Sequence, residues 1–221
     1  MQRILDITFS GLALLVLSPL LVIVAFALRL SGEGEIFYVQ QRVGWQGKPF
    51  GLLKFATMLK NSPSLGAGTV TVKNDPRILP MGRFLRKTKI NELPQLINIF
   101  LGDMSVIGPR PQTQRCFDVF LPESKVAIIS VRPGLSGVGS IVFRDEENML
   151  DGASDTRVFY DEVIAPYKGL LEEWYVRNQG VRTYFACIFV TVWIVVRPHS
   201  KIVWRAFPTL PQPPSDLRAY V

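Results

Sequence analysis

A chain of 221 residues is long enough for one domain with a hydrophobic core plus a modest membrane element, and its mean hydropathy of +0.23 is high for a soluble protein. The positive charge is concentrated in residues 29–111, which contain 12 Lys and Arg against 5 Asp and Glu, while the rest of the chain is neutral. Such a segment attracts anionic headgroups or phosphorylated ligands, or forms a solvated basic face. Two cysteines without a CxxC pair, and a single histidine, indicate neither a disulfide framework nor a zinc site.

The first predicted element is an apolar run at residues 7–28, which is long enough to cross a bilayer core of about 30 Å. It is too long for a signal peptide and no small-residue cleavage site follows it. Ser18-Pro19 stands in its middle, where proline removes a backbone donor and kinks a helix. The residues alone leave two alternatives, a kinked single span and a helix that turns at this pair and leaves by the same face.

The middle of the chain mixes strand-like and helical patterns. Residues 37–58 alternate short apolar pieces with glycine and predict strands or turns, and residues 61–68 predict a loop. From Met81 onward the apolar spacing is helical. We expect Asn91 just before a second helix, either as its N-cap or as part of an anion site at the helix start, and Gly102 at its end.

The remaining elements are shorter. Residues 184–196 are apolar but too few to span a bilayer, which favours an interfacial or buried helix. The tail from Pro208 is rich in proline and predicts little regular structure. Two proline-flanked segments, at residues 108–111 and 132–134, each predict a rigid stretch that carries one arginine.

At residues 86–111 (RKTKINELPQLINIFLGDMSVIGPRP) the sequence closely resembles the small monotopic phosphoglycosyl transferases, bacterial sugar transferases that start the assembly of surface glycans. These glycans are O-antigen, capsule, exopolysaccharide and glycoprotein glycans. The resemblance extends over nearly the whole chain. Supporting segments are FYVQQRVGWQGKPF (37–50), KFATM (54–58), DPR (75–77), RPGLSG (132–137) and WYVRN (174–178).

The resemblance implies a mainly α fold with a few short strands (α+β). It implies a re-entrant membrane helix broken at Ser18-Pro19, interfacial amphipathic helices and a catalytic face on the cytosolic side of the bacterial inner membrane. We therefore expect a membrane helix at 1–30, a catalytic domain at 31–205 and a proline-rich tail at 206–221.

The resemblance also implies the chemistry. A carboxylate attacks the β-phosphate of a UDP-sugar in the presence of Mg²⁺, UMP leaves, and the phosphosugar passes to polyprenol (undecaprenyl) phosphate. Membrane lipid is an expected partner, downstream glycosyltransferases are candidate partners, and nucleic acid is not expected. The sequence leaves the oligomeric state open.

Two positions depart from the family pattern. The usual Asp-Glu pair, which supplies the nucleophile and the metal ligand, reads Asn91-Glu92, and the KFRTM-like motif has Ala56 in place of arginine. An amide is a poor nucleophile and a weak Mg²⁺ ligand. Three accounts follow: Glu92 supplies the essential carboxylate, the chain is an impaired homologue that binds lipid carrier or partner proteins, or the protein is altered to trap substrate. We favour the first, with Asp103 and Asp145 as alternative carboxylates, although each also fits a turn residue or a solvated acidic cluster.

The remaining site residues carry over by matching position. Lys54 and Arg86 match positions that face the phosphates, and Asp145 is a further candidate for substrate binding. Arg110, fixed between two prolines, is suited to planar phosphate contact. Arg132 either contacts substrate or ties the C-terminal part of the chain to the core.

Overall fold

The computed structural model describes residues 1–65, 75–151, 155–198, 200–218 and 220. In this part of the chain helices predominate and strands are few, which confirms the predicted α+β class. The helices are α1 (Gln2–Arg29), α2 (Pro80–Lys87), α3 (Gln95–Leu101), α4 (Gln114–Asp118), α5 (Pro122–Ser130), α6 (Val138–Val142), α7 (Glu146–Asp151), α8 (Thr156–Phe159), α9 (Ala165–Arg177), α10 (Val181–Val196) and α11 (Ile202–Ala206). The strands are β1 (Phe37–Val43), β2 (Pro49–Phe55), β3 (Ser105–Ile107) and β4 (Gly134–Ser136). A π-helical turn, Tyr160–Ile164, joins α8 to α9.

The predicted strands at 37–58 form an antiparallel hairpin, β1–β2, in which Phe37 pairs with Phe55 and Val43 with Pro49. Its connection contains Gly47 at φ 72°, a left-handed conformation that favours glycine. Lys54 lies near the end of β2, where it pairs with Tyr38 of β1. The predicted loop at 61–68 begins with a short 3₁₀ turn, Ser62–Ser64, and its part from residue 66 onward lies outside the described residues.

A second, parallel pair joins β3 to β4, with Ser105 opposite Gly134 and Ile107 opposite Ser136. Its strands approach so closely that a Cβ atom on Gly134 would overlap the backbone of Gly108. The pair fixes the two proline-flanked segments against each other, because Gly134 N donates to the Pro109 carbonyl at 2.7 Å.

The apolar run at residues 7–28 lies within one uninterrupted helix, α1, which includes Pro19. The Ser18 hydroxyl donates to the Leu15 carbonyl at 2.8 Å. Leu15 stands four residues before Pro19, so this bond satisfies the carbonyl that the proline leaves without its usual donor. The interruption expected at Ser18-Pro19 is thus not a gap in the helix. By length and composition α1 is the one helix among the described residues that could cross a membrane.

The protein body contacts α1 along its whole length. Near its start, Leu5 and Phe9 pack against the largest apolar cluster, which includes residues of α6, α9 and α10 and of the C-terminal tail. In its middle, Leu14 and its neighbours pack against a cluster around α3. Near its end, Val24 and Leu28 are buried with Phe55 and Leu85. The helix is therefore part of the core as well as an apolar surface.

In the described part of the tail beyond Pro208, the regular structure is a short 3₁₀ turn, Ser215–Leu217, and the tail is packed against the rest of the protein. Leu210 and Leu217 are buried in the largest cluster. The Tyr167 hydroxyl donates to the Pro211 carbonyl at 2.8 Å, and the Trp174 indole N–H donates to the Thr209 hydroxyl at 3.1 Å. These contacts fasten residues 209–217 to α9.

The short apolar helix expected at 184–196 is α10. One of its sides is buried through Tyr184, Cys187, Val190 and Ile194, at the spacing of a helix face. Its other side and much of α1 expose large apolar side chains. They include Ile4, Leu12, Leu15, Val16, Val22, Ile23 and Phe26 on α1, and Phe185, Phe189, Val192, Trp193, Val195 and Val196 on α10. So much exposed apolar surface indicates contact with lipid or protein.

Candidate functional site

Four segments bring the predicted site residues together. Lys54 lies near the end of β2, Arg86 near the end of α2, Asn91 and Glu92 in a single 3₁₀ turn (Ile90–Glu92), and Arg110 just beyond β3. Between α2 and the turn, Lys89 has φ 60°, a left-handed conformation that is uncommon for a residue other than glycine. This sharp change of direction places the 3₁₀ turn against β2.

The expected anion site at a helix start is not formed by Asn91 and Glu92. Helix α3 begins only at Gln95, after Pro94, and Asn91 makes no capping hydrogen bond to it. The backbone N–H of Glu92 donates to the Lys89 carbonyl at 3.0 Å, so it is already used within the turn. The N-cap prediction for Asn91 was wrong, because Pro94 supplies the first helical geometry itself. Attraction for an anion at this place therefore comes from side-chain cations.

The centre of the site is an ion pair between Glu92 and Arg110, with Oε1 and Nη2 3.6 Å apart. Desolvation would raise the pKa of Glu92, but the charges of Arg110, Lys54 and Lys89 outweigh it and lower that pKa below its ordinary value. Glu92 in turn raises the pKa of Arg110. The carboxylate is thus ionised at neutral pH and 18% exposed, accessible to a ligand without being fully hydrated.

Lys54 stands in a strongly cationic environment. Burial lowers its pKa to about 7, with Glu92 opposing the shift and Arg110, Arg42 and Arg86 adding to it. Arg110, Lys54 and Lys89 act on the Glu92 carboxylate, and Arg42 and Arg86 act on Lys54, so positive side chains outnumber negative ones here and favour the binding of an additional negative charge. A diphosphate, with its two or more charges, matches this excess.

The Asn91 side chain is buried, and its Oδ1 atom has no hydrogen-bond partner among the described residues. An unsatisfied buried amide oxygen costs about 1–3 kcal/mol. The Glu92 carboxylate is a ligand of the kind that Mg²⁺ prefers, and the Asn91 amide oxygen, next in the chain, is a weaker oxygen ligand that could add to it; Mg²⁺ usually combines one or two protein oxygens with substrate phosphates and water. No cluster of three or more His, Cys, Asp or Glu side chains occurs among the described residues, so an all-protein cage is not formed there.

The other predicted residues lie outside this group. Arg132 donates from Nε to the Gly102 carbonyl at 2.8 Å, and its guanidinium carbon lies 4.6 Å from the centre of the Trp45 ring. These contacts join Arg132 to the end of α3 and to the β1–β2 connection, as expected of a residue that ties parts of the fold together, and its contact with substrate stays a prediction. Asp103 accepts a hydrogen bond from Asn98 at 3.2 Å, the contact of a turn residue. Asp145 is exposed at the start of α7.

Two residues that the sequence did not single out contact the Arg110 segment. Arg42 donates to the Pro111 carbonyl at 3.2 Å, and burial lowers the pKa of its guanidinium to about 10, with Arg110 adding to the shift. Glu172, on α9, accepts a hydrogen bond from the Arg110 backbone N–H at 3.2 Å. A sequence signal existed: Lys168, Leu171, Glu172 and Tyr175 follow a helical face, so two charged residues share it with core residues.

Comparison with known proteins identifies similar sequences. The family model described as "Bacterial sugar transferase" matches residues 1–198. The chain is 34% identical over 197 residues to the UDP-glucose:undecaprenyl-phosphate glucose-1-phosphate transferase of Escherichia coli, covering 87% of this chain and 39% of that protein. It is 32% identical over 211 residues to the undecaprenyl-phosphate galactose phosphotransferase of Salmonella typhimurium, covering 89% and 40%.

A shorter relative is covered more fully. Exopolysaccharide production protein ExoY of Rhizobium meliloti is 33% identical over 174 residues, which are 72% of this chain and 74% of ExoY. The chain spans about two fifths of the length of the two longer relatives.

Proposed function

Because this chain belongs to the bacterial sugar transferase family, we propose that it transfers a sugar 1-phosphate from a UDP-sugar to polyprenol (undecaprenyl) phosphate and releases UMP. The observation that carries the proposal is the ionised Glu92 carboxylate paired with Arg110 beside Lys54. A nucleophile and the cations that a diphosphate requires lie in one place. Relatives named as undecaprenyl-phosphate sugar phosphotransferases support the same substrates.

In the proposed first step, a Glu92 oxygen forms a bond to the β-phosphorus of the UDP-sugar. The bond from that phosphorus to the oxygen bridging it to UMP breaks, and UMP leaves with the electron pair. In the second step, an oxygen of polyprenol phosphate attacks the same phosphorus and displaces the Glu92 carboxylate. The products are UMP and a polyprenyl diphosphate sugar, and Glu92 is regenerated.

The cations have distinct parts in this scheme. Arg110 neutralises charge that develops on the phosphoryl oxygens, and its planar guanidinium suits two of them at once. Lys54 contributes a compact charge that burial makes sensitive to pH. Glu92 and the Asn91 oxygen would hold Mg²⁺, which supplies additional neutralisation of the diphosphate when it is bound.

The protein is proposed to be monotopic, with α1 entering one leaflet and leaving by the same face. The support is that α1 remains in contact with the body from Leu5 to Leu28, whereas a spanning helix separates from a body on one side. The exposed apolar side of α10 suits the membrane interface. We place the catalytic face on the cytosolic side of the bacterial inner membrane, where nucleotide sugars are available.

The activity is tested by incubating purified protein with Mg²⁺, polyprenol phosphate and a panel of UDP-sugars, and measuring UMP. Wild type is expected to release UMP with at least one sugar, and Glu92→Gln is expected to abolish the release. The matched control is Glu123→Gln, an exposed glutamate at the start of α5, which retains activity. Absence of UMP across the panel, or full activity of Glu92→Gln, contradicts the proposal.

Topology is tested separately. Single cysteines at Ser31, just beyond α1, and in a tag before Met1 are introduced one at a time in a background that lacks both native cysteines (Cys116→Ser, Cys187→Ala), and each protein is treated with an impermeant reagent in sealed inverted vesicles. Labelling of both sites is expected for a re-entrant α1. Labelling of only one contradicts it.

A further inference from the structure

The Arg110 segment has an unusual backbone. In Pro109-Arg110-Pro111 only the arginine has a backbone N–H, because proline has none. That N–H donates to Glu172 Oε1 at 3.2 Å, across 62 positions of sequence. The acceptor is thus a side chain on α9 and not a neighbouring strand.

Burial of the Glu172 carboxylate at this place costs stability. It is 1% exposed, and its second oxygen, Oε2, has no hydrogen-bond partner among the described residues. Burial raises the pKa of its carboxyl to about 7, against the opposing effects of the Arg110 N–H and of the Lys168 and Arg110 charges. A buried polar group with so few partners costs stability, so a functional role is a better explanation of its presence than packing.

The surrounding fold makes room for this carboxylate. A Cβ atom on Gly139, at the start of α6, would overlap Glu172 Oε1. One turn away on α9, the Tyr175 hydroxyl donates to the Ile107 carbonyl at 3.0 Å. Helix α9 therefore contacts the Arg110 segment at two points, on the strand β3 and on the arginine itself.

The side chain of Arg110 lies next to Glu92, the proposed nucleophile. Its backbone is held by one glutamate, Glu172, and its guanidinium lies 3.6 Å from another, Glu92. The position of the backbone determines where the guanidinium sits relative to Glu92. A shift of about 1 Å in such a group can cost about 100-fold in rate.

We infer that Glu172 is a positioning residue of the transfer reaction, one that holds the Arg110 backbone so that the guanidinium faces Glu92 and the phosphates. This inference rests on the proposed function. Glu172 acts as a hydrogen-bond acceptor through Arg110 and does not itself touch the substrate. Its neighbour Glu173 provides a matched control, because it is also a mostly buried carboxylate on α9 but bonds to Ser124 and Arg177.

The first experiment measures UMP release by Glu172→Leu, Glu172→Gln and Glu173→Gln. Glu172→Leu removes the acceptor and is expected to lower kcat/KM by about 10- to 100-fold. Glu172→Gln keeps an acceptor oxygen in nearly the same shape and is expected to stay within about 5-fold of wild type, as is Glu173→Gln. A loss in Glu172→Gln as large as that in Glu172→Leu overturns the acceptor role.

The second experiment is a double-mutant cycle with Arg110→Ala. If Glu172 acts through the guanidinium, adding Glu172→Leu to Arg110→Ala changes kcat/KM by less than about 3-fold. If the fold losses in kcat/KM of the two single variants multiply in the double variant, the inference is overturned. Absence of UMP from the wild type instead contradicts the proposed function, so the two failures are distinguishable.

The third experiment does not depend on turnover. Hydrogen–deuterium exchange of overlapping peptides that differ by residues 109–111 isolates a single backbone amide, that of Arg110. It is expected to exchange slowly in wild type and in Glu172→Gln, and at least about 10-fold faster in Glu172→Leu. Equal exchange in wild type and Glu172→Leu, with both proteins folded by circular dichroism, overturns the inference.

Discussion

The Tyr184 hydroxyl on α10 donates a hydrogen bond to the Asp6 carboxylate on α1, with the two oxygens 2.9 Å apart. The same Asp6 oxygen accepts bonds from the Ser105 hydroxyl at 2.9 Å and the Val106 N–H at 3.0 Å. Burial, followed by the bond to Asp6, raises the pKa of Tyr184. One buried carboxylate thus joins both apolar helices to β3, the strand that leads to Arg110.

Asp6→Leu is expected to destabilise the protein by about 3 kcal/mol, because it leaves buried donors on α10 and β3 unsatisfied. The measurement is thermal or denaturant unfolding in detergent. Asp118→Asn, an exposed aspartate in α4, serves as the control and is expected to change stability by less than about 0.5 kcal/mol. Equal stability of Asp6→Leu and wild type would show that this carboxylate does not fasten the helices.

Arg110→Lys is expected to lower kcat/KM by about 10- to 100-fold while leaving the melting temperature almost unchanged. Lysine keeps the charge but loses the planar fork that contacts two phosphate oxygens together. The control is Arg115→Lys, whose side chain pairs with Asp161 at 2.8 Å. Wild-type kinetics in Arg110→Lys would reduce the role of this arginine to charge alone.

The lowered pKa of Lys54 predicts that the transfer activity depends on pH. With a pKa of about 7 in the free protein, its ammonium form is present below that pH and is lost above it. We expect kcat/KM for the UDP-sugar to fall by up to about tenfold per unit as pH rises from about 7 to about 9. Lys54→Arg, which stays protonated, is expected to be less active but to show a flatter profile across this range. An identical fall in both proteins would assign the ionisation to another group.

Asn91→Asp tests which carboxylate is the nucleophile. A second carboxylate beside Glu92 competes for the same cations and raises the pKa of Glu92, so we expect UMP release to fall or stay level. Asn61→Asp, at an exposed position before the 3₁₀ turn Ser62–Ser64, is the control. A large gain of activity would instead indicate an enzyme impaired by the loss of aspartate, with Glu92 in a supporting role.

The sequence indicated the segments of the candidate site, but not most of the contacts that hold these segments in place. Lys54, Arg86, Glu92 and Arg110 belong to segments that local patterns and family resemblance both identify, and the structure brings these segments together. Asn91 was wrongly predicted as a helix N-cap. Proline is tolerated both within the first turn of a helix and just before it, and here Pro94 itself is the N-cap of α3.

The strands β3 and β4 were not predicted because each has three residues, too few for an alternating pattern to show. Their pairing depends on close approach at Gly108 and Gly134, which is a tertiary property. Asp6 and Glu172 were missed for a similar reason. A buried carboxylate is recognised by donors that come from distant parts of the chain.

Helix α1 packs against three apolar clusters, and this limits the ways in which the protein can be produced. Its side chains complete the apolar interior at the start, middle and end of the helix, through residues such as Phe9, Leu14 and Leu28. Cutting it away to obtain a detergent-free catalytic fragment would uncover all three patches at once. A water-soluble version therefore has to keep this helix and redesign only the outward side chains, such as Leu15, Val16 and Ile23.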